Sequence, residues 1–221
     1  MYKRQVRAWL DGHFVGEARD PDIPGSSTAL VFTKFGDVRR VEVGEVEPSS
    51  ENWTDWLGPK LAAGGFAGGQ WKREAGGIST DQVLAGFDVL PKDTRDGAVK
   101  VTFVMRGSEG VLLDCRETKE SGGRHLYNAQ YTGKNLYISH SPPDGSATKR
   151  LINEPVAEEV RSREEHTLEF RFIGEELTAI LDGVHRVSTR HSLLKQGLCA
   201  VVLTQGVLVK KVEIQALDSP R

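Results

Sequence analysis

The sequence predicts an all-β protein: a two-sheet antiparallel β-sandwich preceded by the C-terminal strands of a truncated preceding repeat. Three observations indicate this class. Short apolar runs alternate with polar residues at a period of two, Asp-Gly and other turn pairs separate these runs, and helix signals are scarce. Apolar residues make up 38% of the 221-residue chain and charged residues 27%, a balance that is typical of globular proteins.

The clearest predicted strands lie in the second half of the chain. In HTLEFRF, one face of the strand holds His166, Leu168, Phe170 and Phe172. KVTFVMR alternates in the same way, and GLCAVVLTQ and VLVKKVEIQAL predict two further strands. ELTAILDGVHRV predicts a strand, a two-residue Asp-Gly turn and a returning strand, because a type I′ turn needs positive φ at both central residues.

Helix signals are weak in three other segments. ISTDQVLAGF begins with a Ser or Thr cap, but Gly86 interrupts it early. NEPVAEEVRSREEH predicts a charged loop with at most one turn of helix. GPKLAAGGFAGGQW predicts a flexible Gly-rich loop, and it lacks the Gly-Lys-Ser/Thr ending of a phosphate-binding loop.

One short phrase occurs twice in the chain, as AWLDGHFV near the start and AILDGVHR near the end. Residues 6–43 align without a gap to residues 177–214, and eleven of these 38 positions are identical, including Asp11 with Asp182. Such a fixed offset predicts a duplicated unit. The alternative is that two unrelated β-hairpins share a common turn.

Duplication sets the predicted domain boundaries. Residues 1–46 are interpreted as the C-terminal remnant of a preceding repeat, and residues 47–221 as one complete domain. The first five residues, MYKRQ, match neither copy. They are interpreted either as a sequence artefact, in which case the chain is a fragment of a longer protein, or as an ordinary basic N-terminus.

Charge, hydropathy and cysteine content exclude several classes of function. A net charge of −2 gives no electrostatic case for binding nucleic acid or an anionic membrane, and no apolar run is long enough to predict a transmembrane segment. Cys115 and Cys199 form no zinc motif; Cys199 is predicted to be a buried thiol, and a disulfide between the two stays open. The histidines form no metal motif, so no metal or cofactor is predicted, although a structural calcium ion stays open.

Candidate binding residues concentrate between positions 106 and 140. If RHLYNAQY is a strand, alternate side chains place its His and Tyr residues on one face, and Asp114 and Arg116 share a face on VLLDCRE. Aromatic rings and fixed polar groups on one face suit a sugar ligand. The alternative is a solvated sheet face with Asp114 and Arg116 as a surface ion pair. The predicted ligand-binding residues are Arg106, Asp114, Arg116, His125, Tyr127, Gln130 and Tyr131.

The sequence assigns no catalytic residues. Glycoside hydrolysis needs two carboxylates across the scissile bond, and no strand of the Glu-x-Asp-x-x-Glu type occurs. A Gly-x-Ser-x-Gly nucleophile motif is also absent from the sequence.

A family resemblance rests on the order of six segments: NWTDWLGPK, GGQWKREAGGIST, GAVKVTFVMRGSEGVLLDCRE, RHLYNAQYTG, HTLEFRFIGEELTAILDGVHRV and VLVKKVEIQAL. This order resembles concanavalin A-like lectin/glucanase jelly-roll domains and is similar to the 3-keto-disaccharide hydrolase family, formerly domain of unknown function 1080. The resemblance covers about 50–217 and rests on fold motifs. It implies a jelly roll, places Arg116 and Gln130 at polar positions of the family's strands, and implies an extracytoplasmic or cell-surface location.

Together these observations predict a non-catalytic ligand-binding module, with carbohydrate as the leading ligand, in a larger multidomain protein of bacterial type. One alternative is an enzyme acting on 3-keto-glycosides, as the resemblance implies. Another is a structural spacer repeat. The predicted partners are a carbohydrate or another small ligand and further domains of the same chain upstream, with no nucleic acid.

Overall fold

A computed structural model gives the conformation of residues 4–10, 13–20, 53–106, 110–120 and 123–217. The chain divides into two compact units, Met1–Glu51 and Asn52–Pro220. The domain boundary predicted at residues 46 and 47 lies outside the described residues. So do the first three of residues 1–5, which are interpreted as a possible artefact, and most of the first predicted repeat copy.

The described part of the first unit is a hairpin. Strands β1 (Arg4–Leu10) and β2 (His13–Asp20) pair antiparallel and form a sheet of their own.

The second unit is a sandwich of two antiparallel sheets, which confirms the predicted fold class. The first sheet has six strands, in the spatial order β11 (Lys149–Pro155), β10 (Asn135–Ser141), β9 (Gly123–Tyr131), β8 (Val111–Glu120), β15 (Leu198–Thr204) and β6 (Leu84–Leu90).

The second sheet has eight strands and packs against the first. Along it lie β14 (His185–Arg190), β13 (Glu176–Leu181), β12 (Glu165–Ile173), β7 (Gly97–Met105), β16 (Val207–Ala216), β5 (Gly77–Thr80) and β4 (Trp71–Glu74), and β3 (Thr54–Asp55) also pairs with β16.

The core lies between the two sheets and follows the predicted alternation. On β12, the four residues predicted to share a face are all buried: His166, Leu168, Phe170 and Phe172. They meet core residues of the six-stranded sheet such as Leu113, Ala129 and Val201, which are completely buried. The period-two pattern therefore specifies which side of β12 faces the core.

The hairpin of β13 and β14 has the predicted turn chemistry and a different loop length. Asp182 and Gly183 both have positive φ, 54° and 70°, as the Asp-Gly pair predicts. Leu181 pairs with His185, so three residues lie in the loop instead of the predicted two. The Asp182 carboxylate also accepts a hydrogen bond of 2.6 Å from the Thr167 backbone N–H, which holds the turn against β12.

The two hairpins with Asp-Gly sequences share a strand register. In the first unit Val6 pairs with Ala18, and the positions aligned to these in the second unit, Leu177 and Thr189, also pair. The agreement covers four pairs and ends at the bulge after Ala8, because Trp9 pairs with Phe14 whereas the aligned Ile180 pairs with Arg186.

Helix is confined in the described residues to two short segments. Helix α1 (Leu57–Ala62) occupies part of the segment predicted as a flexible loop, which corrects that prediction. The stacked rings of Trp56 and Phe87, with centroids 4.9 Å apart, pack beside this helix. Helix α2 (Glu158–Arg161) is the single turn expected within the charged loop. No helix in the described ranges has the length and apolar character needed to cross a membrane.

The segment ISTDQVLAGF is not helical. It contributes to strands β5 and β6, because its apolar residues complete both sheets of the sandwich.

Candidate functional site

Three of the predicted site residues, His125, Tyr127 and Tyr131, lie on β9 and point towards the interior. Tyr127 and Tyr131 have no exposed surface and belong to the hydrophobic core. The three residues share a face as predicted, but this face packs against the other sheet. The prediction that it contacts a ligand is therefore wrong for the two tyrosines.

One end of this face carries a cluster of one tyrosine and three histidines, in which two hydrogen-bonded pairs meet through ring contacts. Tyr127 accepts a hydrogen bond of 3.1 Å from the Leu194 N–H, so its own hydroxyl proton is available to His191 Nδ1 at 2.7 Å. His125 Nε2 and His140 Nε2 lie 2.7 Å apart, a contact that needs one nitrogen to accept.

Burial lowers the pKa of two of these histidines. Burial and the neighbouring His125 lower the pKa of His140, and burial together with Lys149 lowers the pKa of His191. In the described residues, no three His, Cys, Asp or Glu side chains are arranged to hold a metal ion. The arrangement links the two sheets at one end of the sandwich.

Arg116 lies in a bulge of β8 and is also turned inwards. Its φ of 51° directs the side chain away from the face that carries Asp114. The guanidinium donates hydrogen bonds to Arg95 O at 3.0 Å and Leu194 O at 3.1 Å and contacts Asp96 Oδ1 at 3.3 Å. Arg116 therefore stabilises the loops, and the prediction that Asp114 and Arg116 share a face is wrong.

The opposite, outward side of the six-stranded sheet is rich in polar side chains. Along each strand, the residues that alternate with the core positions point to this side. Pairing between neighbouring strands aligns these residues in rows. We call this surface the polar face; it comprises Asp88, Asp114, Glu117, Arg124, Asn128, Gln130, Tyr137, Ser139 and Arg150.

Side chains on the polar face are fixed by contacts between neighbouring strands. Ser139 donates a hydrogen bond of 2.7 Å to Asn128 Oδ1, and the Tyr137 hydroxyl donates to Gln130 Oε1. Arg150 lies over the Tyr137 ring, with its guanidinium carbon 4.7 Å from the ring centroid. The centre of the face thus presents amides, hydroxyls and a guanidinium in set positions.

One end of the polar face holds an ionic cluster of two carboxylates and one guanidinium. Arg124 contacts Glu117 through two hydrogen bonds of 2.6 and 2.7 Å, and Asp114 through one of 2.9 Å. Asp114 and Glu117 are almost completely buried, whereas the Arg124 side chain is 48% exposed. A single cation is therefore shared by two buried carboxyl groups.

Burial raises the pKa of Asp114 to about 7, and the neighbouring Glu117 charge acts in the same direction, against the opposing effect of Arg124. As the pH falls, a carboxyl group with this pKa binds its proton in the folded state at a higher pH than it does in the unfolded chain. Its contribution to stability is complete below its ordinary pKa of 3.8 and is lost as the pH rises through about 7.

We expect Asp114→Asn to remove this pH dependence. The free energy of unfolding of the variant should rise relative to wild type between pH 4 and pH 7, by up to about 4 kcal/mol if the full shift applies, and then level off. Urea denaturation across this pH range measures the difference. Asp88→Asn, an exposed carboxyl in the same row of the sheet, is the matched control, and a profile equal to that control would contradict the expectation.

Arg106 and Gln130, two further predicted site residues, occupy separate places. Gln130 lies on the polar face, whereas Arg106 lines a cleft of about 270 Å³ on the other side of the molecule's second unit. In this cleft Arg106 pairs with Glu74, and Lys72 pairs with Asp81. The Ser79 hydroxyl and Arg106 lower the pKa of Glu74. The charges of this cleft are paired with one another, whereas the polar face carries the exposed Arg150, which no described carboxylate contacts, and is the better candidate site.

Of the predicted site residues, the polar face holds only Asp114 and Gln130, whereas His125, Tyr127 and Tyr131 lie together on the inward face of β9. Sequence analysis missed most of the polar face: Glu117, Arg124, Asn128, Tyr137, Ser139 and Arg150. A usable signal was the run NLYISHS, in which Leu136 and Ile138 alternate with polar residues and are completely buried. That alternation directs Tyr137 and Ser139 outwards.

No protein-family model and no curated protein matches the sequence. Among solved structures, the carbohydrate-binding module CBM66 from Bacillus subtilis is similar to this chain, with a TM-score of 0.52 and 12% identity over 74% of this chain and 95% of that one. The exoplasmic/lumenal domain of VIP36 in its Ca²⁺/Man-bound form has a TM-score of 0.53 and 13% identity over 76% and 91% of the two chains. Its Ca²⁺-bound form has a TM-score of 0.50 and 14% identity, with 78% and 88% covered. These similarities show that the second unit has the jelly-roll fold of lectins and carbohydrate-binding modules.

Proposed function

We propose that the second unit is a carbohydrate-binding module and that its polar face holds the sugar. The observation that supports this most directly is the fixed row of hydroxyl, amide and charged groups across the outward side of the six-stranded sheet. Sugar hydroxyls need donors and acceptors in defined positions. The partly exposed Gln130 and Tyr137 supply them, while the buried Asn128 and Ser139 hold the neighbouring strands together. The structural neighbours described as a carbohydrate-binding module and as a mannose-bound domain support the same ligand class.

Binding without turnover is the form of this function that the polar face favours. Its two buried carboxyl groups, Asp114 and Glu117, both contact the same Arg124 guanidinium. A glycosidase instead places two carboxylates on either side of the scissile bond. If the chain is instead a 3-keto-glycoside hydrolase, incubation with its sugar should release a product. If it is a structural spacer, no sugar should bind.

We expect Gln130→Ala to weaken sugar binding about tenfold, since losing one side-chain hydrogen bond to a ligand costs about 1.4 kcal/mol. A glycan array with the full chain would identify the sugar, and titration calorimetry would measure the change in Kd. Thr167→Ala is the control, because Thr167 lies on the eight-stranded sheet, where its hydroxyl faces Thr102. The proposal fails if both variants bind as wild type does, or if both lose affinity equally.

We also propose that the chain contains a duplicated module within a larger multidomain protein. The shared register of the two hairpins at a constant sequence offset supports duplication beyond the sequence identity alone. On this proposal, residues 1–46 belong to a preceding copy and residues 47–221 form the complete one. Tandem copies of a binding module raise avidity without new contacts.

A further inference from the structure

The charges of the polar face differ in their accessibility. The carboxyl groups of Asp114 and Glu117 are almost completely buried and hydrogen-bonded to Arg124. Arg124 is half-exposed, and Lys119, its cross-strand partner, is exposed. A ligand approaching this end of the face therefore meets cations first.

Arg150 supplies a second cation at the other end of the polar face. It pairs with Ser139 across the strands and lies over the Tyr137 ring. Among the residues that the structure describes, no carboxylate lies within ion-pair distance of Arg150. A guanidinium that stacks on a ring keeps its in-plane N–H donors available for a planar anion, so the ring holds Arg150 in an orientation suited to bidentate contact.

The exposed carboxylate of the polar face is far from Arg150. Asp88 lies on β6, the opposite edge strand, five strand spacings or about 24 Å away. Arg150 on β11 and Arg124 on β9 are two spacings apart, about 10 Å, and Arg124 also lies four residues along β9 from Asn128, which shares the row of Arg150. The partly exposed groups nearest to Arg150 on this face are Tyr137, which it covers, and Gln130, which accepts the Tyr137 hydroxyl proton.

We propose that the polar face selects sugars that carry carboxylate groups, with Arg150 as the residue that binds a uronate carboxylate. This inference rests on the proposed carbohydrate-binding function and specifies its ligand class. A short oligosaccharide of uronic acids that lies over β11, β10 and β9 places a carboxylate on Arg150, while Tyr137 and Gln130 contact its ring hydroxyls. A neutral sugar makes the contacts with Gln130 and Tyr137 but leaves Arg150 without an anion, whereas Arg124 is already paired with Asp114 and Glu117.

The test compares a galacturonic acid tetramer with its methyl ester, because esterification removes the charges and keeps the sugar rings. With the full chain in calorimetry, the acid should bind at least tenfold more tightly than the ester, and its affinity should fall as salt is added. Arg150→Gln should remove most of this preference. Lys149→Gln is the control: it removes the same charge from the same strand, at a position paired with His140 on the inward side, and should change the preference less than about twofold.

Each other outcome has a separate meaning. If the ester binds as tightly as the acid and Gln130→Ala weakens both, carbohydrate binding stands and the preference for acidic sugars is overturned. Equal effects of Arg150→Gln and Lys149→Gln overturn the role of Arg150. Tighter binding of a heparin tetrasaccharide than of the galacturonate shows that sulfate is the preferred anion and overturns the uronate assignment. If no sugar binds at all, the proposed function falls as well.

Discussion

Replacing Arg116 with methionine is expected to destabilise the protein by about 3–5 kcal/mol, because removal of one partner from a buried polar network leaves the others without hydrogen bonds. The Arg116 side chain is only 1% exposed. Its guanidinium binds two backbone carbonyls and the Asp96 carboxylate, and it lies over the Phe172 ring. Methionine fills a similar volume but donates no hydrogen bond.

The measurement is chemical denaturation followed by far-UV circular dichroism, with Arg106→Met as the control. Arg106 is half-exposed and pairs with Glu74 at the surface, where an ion pair contributes about 0–1 kcal/mol. The two substitutions are chemically identical, so the difference between them reports burial and bonding. If Arg116→Met unfolds as wild type does but loses ligand binding, Arg116 is a ligand residue and its assigned role in the loops is wrong.

Arg116 also shows why part of the candidate site could not be predicted from sequence. Period-two alternation places Asp114 and Arg116 on one face of an ideal strand. The bulge in β8, between the pairs of Cys115 and Thr118, interrupts this alternation, and positive φ turns Arg116 to the other side. Its partners lie in loops distant in sequence, and no local pattern marks such a bulge.

The prediction of which face of β9 contacts a ligand was wrong for its two tyrosines for a related reason. Both faces of RHLYNAQY carry hydrogen-bonding groups, so the strand alone does not indicate which side is buried. The neighbouring strands determine which face of β9 is buried, because Leu113 on β8 and Ile138 on β10 pair with Ala129 and are completely buried. Tyr127 tolerates burial because Leu194 and His191 satisfy its hydroxyl group.

The fold, in contrast, was predictable because its signals are local. On β12 the apolar residues recur on one side only, and the turn after β13 needs positive φ at two successive positions, which Asp-Gly tolerates. Asp182 has a second role that the turn rule does not include. Its carboxylate contacts His166 Nδ1 at 2.9 Å, so this residue joins the hairpin to the neighbouring strand.

Gly77→Ala is the second substitution expected to have a large effect. Gly77 lies where β5 passes against β16, at the bulge between Val209 and Lys211. A Cβ atom at this position would lie 2.1 Å from the Val209 carbonyl oxygen and 2.9 Å from its carbonyl carbon. Backbone cannot move aside as a flexible side chain can, so β5 must separate from β16, with an expected loss of about 3 kcal/mol in the free energy of unfolding.

Gly86→Ala is the matched control, since Gly86 also lies within a strand, β6. Its added Cβ would meet only a methyl group of Val202 at 3.1 Å and the Val201 oxygen at 3.4 Å. We expect the control to stay within about 1 kcal/mol of wild type, because reduced freedom of the unfolded chain offsets the close contact. Thermal and urea denaturation of both variants measure the difference. Equal stability of the two would show that β5 does not lie as close to β16 as this packing requires.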